Sequence, residues 1–532
     1  MSGEDANSIS TRIANASRAA CKRLNQPEVD DRRLDDALTN AVDPKKLIDN
    51  LAEAWRATPD QVRDILEEEG FGGLVARLGP SSGEVDGEDV EGAPLGLKRV
   101  HEFAEGRFSV RAFNPAFDEP VRASKSALDT VSMAVDAFLA GAATDPLGIL
   151  YRNEPLVYAR KWLSESAPRI DAYVADHFGA MGPRYLVNSG IGANEQFNYF
   201  VSALANVRPD RTVTWLLANS PKEVARLPAD ATVENTLFME FSRSGITEET
   251  VKLHELTPRD AKRVVFANAG PLQALGERDG NLVMDLPGEV SGRYGRNKTP
   301  ILMAPMHVAG LDTAAYWSRI EAACTTLDIC DRASLPVVIA QYVRLQQLRH
   351  GLNHIYLGTN DLLLRYSADE FCQFWNEGVN RDGNDLTMSR YLGLPRDSHM
   401  NLEAILGTSE RKMAVFLLRT GGFDRHPLLR AETEPLRSDH AGLTAGDVDL
   451  VLALANVKRC SEKMPTILIA VNEVDFATSA WLGQLWADTT LVYARLIGVD
   501  PGSNPEVKAV RSRAAAWLTD KKSARSIISG DA

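Results

Sequence analysis

The sequence predicts an α/β fold with two lobes, each containing a parallel sheet that helices cover on both faces. From about residue 150 onward, short apolar runs alternate with polar loops and helix-forming stretches. Strands joined by helices run parallel, and strands covered on both faces are apolar along their whole length. The candidate strands are 185–187, 212–217, 236–239 and 263–266 in the first lobe, and 335–339, 353–357, 413–418 and 466–470 in the second.

The sequence on either side of these lobes is helical. Residues 8–78 have the pattern of helical hairpins, and 79–94 is rich in Gly, Ser, Asp and Glu, as linkers are. Near the other end, 476–497 and 506–519 are helix-forming stretches. We therefore expect an N-terminal helical region (1–100), a first α/β domain (101–290), a second α/β domain (291–500) and a C-terminal helix (501–532).

The composition narrows the class of protein. With 532 residues, 44% of them hydrophobic, the chain is long enough for two or three domains with sizeable cores. Its net charge of −13 argues against a general binder of nucleic acid or of anionic membranes. The five cysteines are scattered without a CxxC pair, which predicts reduced thiols and no zinc site. No run of eighteen apolar residues is present, so we expect a soluble, cytoplasmic protein.

A segment rich in hydroxyl groups follows the apolar run 236–239. It reads Phe241-Ser-Arg-Ser-Gly-Ile-Thr-Glu-Glu-Thr250, and a helix-forming stretch (248–256) begins within it. This order places hydroxyls and unpaired backbone N–H groups at a turn from strand to helix. The dipole and the first N–H groups of a helix favour bound anions. We therefore expect a phosphate or a similar anion at residues 242–250, called here the anion loop.

A glycine turn and a basic loop are two further candidate parts of a site. The turn, Gly190-Ile-Gly192-Ala-Asn194, follows the strand 185–187, and its glycines allow a ligand to approach the backbone closely. The basic loop spans 288–298 and carries three cations in six residues. Such cations neutralise a substrate anion or a developing oxyanion. They are Arg293, Arg296 and Lys298.

A fourth segment, Gln373-Phe-Trp-Asn-Glu377-Gly378, places a carboxylate among aromatic residues. A carboxylate that is partly desolvated serves as a general base near neutral pH. Glu377 is therefore the candidate base.

In this order the four segments resemble the phosphoglucose isomerase family, a member of the sugar-isomerase (SIS) domain superfamily. Members of the family carry a GIGGS turn, an SKTFTTxET phosphate loop, a GGRYS arginine loop and a QxxxESNGK glutamate motif. The resemblance covers about residues 100–520 and implies two SIS-type domains in a divergent member. The matching places are Gly190-Ile-Gly-Ala-Asn194, Ser242-Arg-Ser-Gly-Ile-Thr-Glu-Glu-Thr250, Ser291-Gly-Arg-Tyr-Gly295 and Gln373-Phe-Trp-Asn-Glu-Gly378.

The resemblance implies a role for each matching residue. Glu377 moves a proton between C1 and C2 of an open-chain sugar phosphate through a cis-enediol. Arg293 stabilises the charge on the enediolate oxygens. The implied substrate-binding residues are Gly192, Asn194, Ser242, Arg243, Ser244, Thr247, Thr250 and Gln373.

The chain departs from the family pattern at three positions: the ring-opening histidine, the C-terminal lysine and the lysine of the phosphate loop. The family's ring-opening histidine is matched by Lys412, and its C-terminal lysine by Arg511, with Lys508 as an alternative. The lysine of the phosphate loop is replaced by Arg243. Arginine stays protonated, so it stabilises an anion but is a poor proton shuttle. Lys412 and Arg511 complete the predicted catalytic set.

The predicted activity is that of an aldose–ketose isomerase that interconverts glucose 6-phosphate and fructose 6-phosphate. The resemblance implies no metal and no organic cofactor, and it implies a homodimer. Two alternatives stay open: an isomerase of another anionic hexose, such as a 6-sulfonated sugar, and a sugar-phosphate-binding SIS protein without catalysis. Neither nucleic acid nor a membrane is an expected partner.

Overall fold

The computed structural model describes residues 101–103, 107–113, 125–145, 159–190, 196–286, 294–381, 383–407, 411–423, 426–428, 443–502, 505–520 and 525. All of these fall within one compact unit, Gly92–Ala532. The predicted N-terminal helical region and the linker at 79–94 lie outside the described residues. Gly192, Asn194 and Arg293 do as well.

The described elements alternate between strand and helix, as the sequence predicts. The strands are β1 His101–Phe103, β2 Phe108–Phe113, β3 Tyr185–Ser189, β4 Thr214–Leu217, β5 Thr236–Phe241, β6 Lys262–Phe266, β7 Leu282–Met284, β8 His354–Thr359, β9 Thr387–Gly393, β10 Lys412–Arg419 and β11 Thr466–Val471. The helices are α1 Lys125–Ala142, α2 Ala167–Phe178, α3 Gln196–Asn206, α4 Glu248–Leu256, α5 Gly270–Arg278, α6 Pro300–Val308, α7 Thr313–Thr326, α8 Leu335–His350, α9 Leu362–Val379, α10 Ser398–Leu406, α11 Ala445–Ser461, α12 Phe476–Leu496 and α13 Pro505–Thr519.

The first sheet has the order β4-β3-β5-β6-β7, and its paired strands are all parallel. Its central strands are buried along their whole length; every residue of β3 and of β5 is buried. Helices cover both faces because such strands have no face for solvent. All four predicted strands of this lobe are confirmed. The sequence did not predict β7, which is only three residues long.

The second sheet has the order β1-β2-β11-β10-β8-β9. Its last four strands are parallel, and β1 and β2 form an antiparallel ribbon on the edge strand β11. The prediction that 101–290 forms one domain is therefore wrong for its first segment. In β2, Phe108 and Val110 alternate into the core, and the strand pairs with the backbone groups that β11 would otherwise leave exposed.

The apolar run 335–339, predicted as a strand, is the first part of helix α8. A proline in the first turn suits the beginning of a helix, and eleven residues of α8 are buried. Because residues 335–343 are all buried, this first part of the helix lacks the helical period that would have distinguished it from a buried strand. The other three predicted strands of the second lobe are confirmed as β8, β10 and β11.

Helix α12 connects the cores of the two lobes. It confirms the predicted helix 476–497, and nineteen of its residues are buried. Ala480 packs into the core of the first lobe, whereas Trp481 and Leu482 pack into that of the second. The Nε1 of Trp486 donates a hydrogen bond of 2.8 Å to the Ser367 hydroxyl on α9. No helix within the described ranges is long and apolar enough to cross a membrane.

Candidate functional site

The anion loop lies at the carboxyl end of β5, between that strand and helix α4. The Ser242 hydroxyl donates to Thr247 Oγ1 at 2.8 Å, and the Thr247 N–H donates to Ser242 Oγ at 3.3 Å. The Gly245 N–H donates to the Ser242 carbonyl at 2.8 Å, which closes a tight turn. Ligands of parallel α/β sheets bind at this end of the strands. The loop is therefore both ordered and correctly placed for a ligand.

Gly245 is required by a close approach to the neighbouring turn after β6. Its φ is +66°, and a side chain there would overlap the carbonyl oxygen of Ala269. Gly270, with φ +79°, fits against the loop from the other side, 2.7 Å separating the position of an added Cβ from the Ser244 carbonyl oxygen. The Leu272 N–H also donates to the Gly245 carbonyl at 3.0 Å. Position 245 therefore requires glycine because the anion loop packs closely against the turn that follows β6.

The first turn of α4 supplies further groups for an anion. Thr247 is the N-cap residue and its side chain makes no capping bond. Thr250 is buried, and its hydroxyl has no hydrogen-bond partner within the described residues. Arg243 and Ser244 are exposed in the same loop. Glu248 and Glu249 place negative charge in this turn, which opposes a bound anion, whereas the positive charge of Arg243 favours one.

Glu377 lies near the end of helix α9 and is partly buried. Gln373, one turn earlier, donates from Nε2 to Glu377 Oε1 at 2.9 Å, which orients the carboxylate. The amide oxygen of Gln373 is buried without a partner in the described part of the chain. An oriented carboxylate beside an unsatisfied amide oxygen is an arrangement that a polar ligand completes.

The described part of the basic loop packs directly against helix α9 through Tyr294. The ring of Tyr294 lies 5.4 Å from that of Phe374, and its hydroxyl occupies the space where a side chain on Gly378 would go. Tyr294 follows Arg293 in the chain, and Gly378 follows Glu377. The contact holds this part of the basic loop against the end of α9. The position of Arg293 itself stays a prediction.

Lys412 lies on the opposite face of the second sheet from Glu377. It is the first residue of β10, where Met413 and Val415 face the core that contains α9. The Lys412 ammonium instead donates to the carbonyls of Ala404 (3.1 Å) and Ile405 (3.4 Å) at the end of α10. Burial lowers the pKa of Lys412. Within one chain, the structure does not bring Lys412 together with Glu377.

Arg511 is exposed on helix α13. The chain that leads to this helix passes the basic loop, since the Tyr294 hydroxyl donates to the Pro501 carbonyl at 3.4 Å. The helix predicted at 506–519 is confirmed. The role of Arg511 stays a prediction.

Sequence reasoning missed Arg381, one turn beyond Glu377. Its guanidinium donates to the Glu377 carbonyl, while its other terminal nitrogen is buried without a partner in the described ranges. A cation just after a helix end satisfies the last carbonyls, and this position was the signal available in the sequence. Arg381 therefore fixes the end of α9 that carries the carboxylate. Across the described residues, no three His, Cys, Asp or Glu side chains cluster as metal ligands do.

The chain resembles curated proteins at low sequence identity. No protein-family model matches it. A probable glucose-6-phosphate isomerase of Halobacterium salinarum is 25% identical over 338 residues, which are 58% of this chain and 72% of that protein. A glucose-6-phosphate isomerase of Thermus thermophilus is 25% identical over 252 residues, which are 45% of this chain and 57% of that protein.

Solved structures share the fold over most of the chain. A hypothetical protein from Thermus thermophilus superposes with a TM-score of 0.61 at 20% identity, covering 77% of this chain and 99% of that one. A glucose-6-phosphate isomerase from Chlamydia trachomatis gives a TM-score of 0.59 at 14% identity, covering 78% and 89%. The arrangement of two α/β lobes is therefore common to all three.

Proposed function

We propose, from the premise that this chain is a divergent homologue of the glucose-6-phosphate isomerases, that it is a sugar-phosphate isomerase that interconverts glucose 6-phosphate and fructose 6-phosphate. One observation carries the proposal: the Gln373–Glu377 pair lies where Tyr294 packs the basic loop against α9. Those neighbours are the ones an oriented base and a stabilising cation need.

The anion loop is proposed to bind the phosphate of the sugar. Ser242, Thr247 and Thr250 present hydroxyls around the first turn of α4. Backbone N–H groups of that turn add donors, and the Arg243 guanidinium adds a positive charge. Ser244 is exposed in the same loop and completes the hydroxyl set. The glycine turn, with Gly192 and Asn194, is proposed to contact the substrate from the carboxyl end of β3.

Glu377 is the proposed base for the transfer between C1 and C2. Its carboxylate removes the C2 proton of the open-chain aldose, the electron pair forms the C1–C2 double bond, and O1 takes the negative charge. Arg293 is proposed to stabilise this enediolate. O1 gains the proton that O2 gives up, and Glu377 returns its proton to C1, which leaves the C2 carbonyl of the ketose.

Ring opening is a separate step for which Lys412 and Arg511 are the proposed residues. Lys412 faces α10 within its own chain, so this role requires a second subunit to bring it to the site. A homodimer is accordingly part of the proposal. If Lys412 instead only caps α10, the open-chain substrate reacts without its help.

A coupled assay that oxidises the glucose 6-phosphate formed from fructose 6-phosphate tests the proposal. We expect turnover by the wild type and a fall in kcat of about 10²–10⁴-fold in Glu377→Gln, since that is the usual contribution of a general base. Glu403→Gln, which removes an exposed carboxylate on α10, is the matched control and should keep full activity. Equal rates in Glu377→Gln and the wild type would exclude Glu377 as the base.

The substrate is tested in the same experiment. A 6-sulfonated hexose that reacts faster than the phosphate would indicate the alternative anion. Binding of sugar phosphates without turnover or exchange of the C2 proton with solvent would indicate a binding protein instead of an enzyme.

A further inference from the structure

Four charged side chains are buried together beneath the anion loop. Glu240 is on β5, His254 on α4 and Arg263 on β6, and Asp279 follows the end of α5. Glu240 and Arg263 are 0% exposed, and His254 is 2% exposed. We call them the buried cluster. Charges of this kind are costly to bury unless each has a partner, so their arrangement is tightly specified.

His254 lies between two carboxylates. Its Nδ1 is 2.6 Å from Glu240 Oε2, and its Nε2 is 3.3 Å from Asp279 Oδ2. Each ring nitrogen of His254 therefore lies within hydrogen-bonding distance of a carboxylate oxygen. Arg263 lies 3.4 Å from the other oxygen of Glu240. Glu240 thus faces His254 with one oxygen and Arg263 with the other.

The buried cluster also holds the end of α4. The Nη2 of Arg263 donates both to the Thr257 hydroxyl and to the Pro258 carbonyl, each at 2.6 Å, and both residues follow α4 directly. Asp279 in turn accepts from Arg259 (2.9 Å) and Arg278 (2.7 Å) at the surface. The helix is therefore tied to β5 by His254 and to β6 through the segment beyond its end.

The spacing along the two elements links the buried cluster to the loop. Ser242 lies two residues after Glu240, just beyond the end of β5, a distance of about 6.6 Å for an extended chain. Thr250 lies four residues before His254 on the helix, a distance of about 6 Å. Because α4 returns along the sheet after β5, these nearly equal lengths put the Glu240–His254 bond about as far along the chain from Ser242 as from Thr250. The bond joins the strand that leads to Ser242 to the helix that carries Thr250.

We propose that the Glu240–His254 pair is a positioning element for anion binding, which holds α4 so that Thr250 and the first N–H groups of the helix meet the anion at Ser242. The inference rests on the anion-binding role given to the loop under the proposed function. A site whose donors are already in place loses less entropy when the ligand binds, and its affinity is higher for that reason.

The test compares His254→Gln with Leu253→Ala, a matched variant on the same helix. Leu253 is buried in the small apolar cluster between α4 and the sheet, so its truncation destabilises α4 without touching the charged pair. Binding of inorganic phosphate and of fructose 6-phosphate is measured by calorimetry, and KM and kcat by the coupled assay. Glu240→Gln, which keeps the side-chain volume, serves as a second variant if His254→Gln does not fold.

We expect His254→Gln to raise the Kd for phosphate and the KM about ten-fold, equal to about 1.4 kcal/mol, with a much smaller change in kcat. Leu253→Ala should leave the Kd within about two-fold for the same drop in Tm. Equal losses in the two variants, or no loss in either, would overturn the positioning role. If the wild type binds neither ligand, the anion-binding function of the loop fails, and the positioning role fails with it.

Discussion

The anion loop and Lys412 are both predicted parts of the site, yet they lie in contrasting surroundings. The anion loop follows the carboxyl end of β5, and the Thr250 hydroxyl there is buried without a partner in the described part of the chain. Lys412 stands at the amino end of β10 and donates to two helix carbonyls. The difference is that the loop leaves a polar group for a ligand within its own chain, whereas the Lys412 ammonium is engaged by α10, so its proposed role depends on a second subunit.

The largest effect is expected for Gly245→Ala, which breaks the loop itself. The added methyl group overlaps the Ala269 carbonyl, so the loop must move, and phosphate affinity should fall by at least about 100-fold, or about 2.7 kcal/mol. Gly498→Ala is the matched control, since Gly498 has φ +76° but open space around it. Calorimetry with inorganic phosphate checks the result. Equal affinity in both variants would show that the anion binds elsewhere.

The next largest effect is expected for Asp279→Asn, a change in the buried cluster that alters how the stability of the protein depends on acid pH. Hydrogen bonds from Arg278 chiefly, and also from His254 and Arg259, hold the pKa of Asp279 well below its usual range despite burial. A carboxyl with a lowered pKa contributes stability that is full above its unfolded pKa of about 3.9 and is lost as the pH falls below it. Asp279→Asn should therefore reduce the unfolding free energy by about 2 kcal/mol at pH 7 and flatten its decline below about pH 5. Denaturant titrations between pH 3 and pH 7 measure both.

A smaller effect is expected for Thr250→Val, which should weaken phosphate binding with little change in the stability of the protein. Thr250→Val keeps the shape of the side chain and removes a buried hydroxyl that has no partner in the described chain. The unfolding free energy should therefore change by less than about 1 kcal/mol. Phosphate affinity should still fall about ten-fold, because the anion loses a donor. A variant that binds phosphate as tightly as the wild type would remove Thr250 from the anion site.

The smallest effect is expected for Lys412→Met, which keeps most of the side-chain stem. Loss of the bonds to the end of α10 should cost about 1 kcal/mol of stability. Since burial lowers its pKa, Lys412 binds its proton less tightly in the folded state, and stability gains from this group as the pH rises toward 10.5. In Lys412→Met this contribution is absent, so the unfolding free energy should rise less toward pH 10.5 than in the wild type. Turnover of open-chain substrate should stay within about two-fold, whereas a selective loss with the cyclic sugar would support its ring-opening role.

Strands and helices could be predicted from the sequence where a short apolar run is bounded by polar loops on both sides. The helix expected at 248–256 is α4 at the same limits, because a hydroxyl-rich cap precedes it. The strand expected at 335–339 is helical because α8 is buried on almost all sides, so neither the period of a helix nor that of a strand appears in its sequence. The edge ribbon β1–β2 was missed because long-range pairing to β11 leaves no local sign beyond a short alternation.

The site was predictable in the order of its segments and not in their contacts. The Gln373–Glu377 bond follows from a helical spacing of four and is visible in the sequence. The buried cluster is not, because Glu240 and Asp279 are 39 positions apart and read as ordinary solvated acids. Lys412 matched a family position, but the face toward which a strand residue points depends on the register of the whole sheet.

The burial of α12 on all sides has a consequence for how the protein unfolds. Its Gly483 lies against Phe197 and Asn297 of the first lobe, while its tryptophans pack in the second. Neither sheet can lose its cover without exposing apolar surface of the other. The two lobes are thus one thermodynamic unit that should melt in a single cooperative transition, although each has the topology of a separate domain.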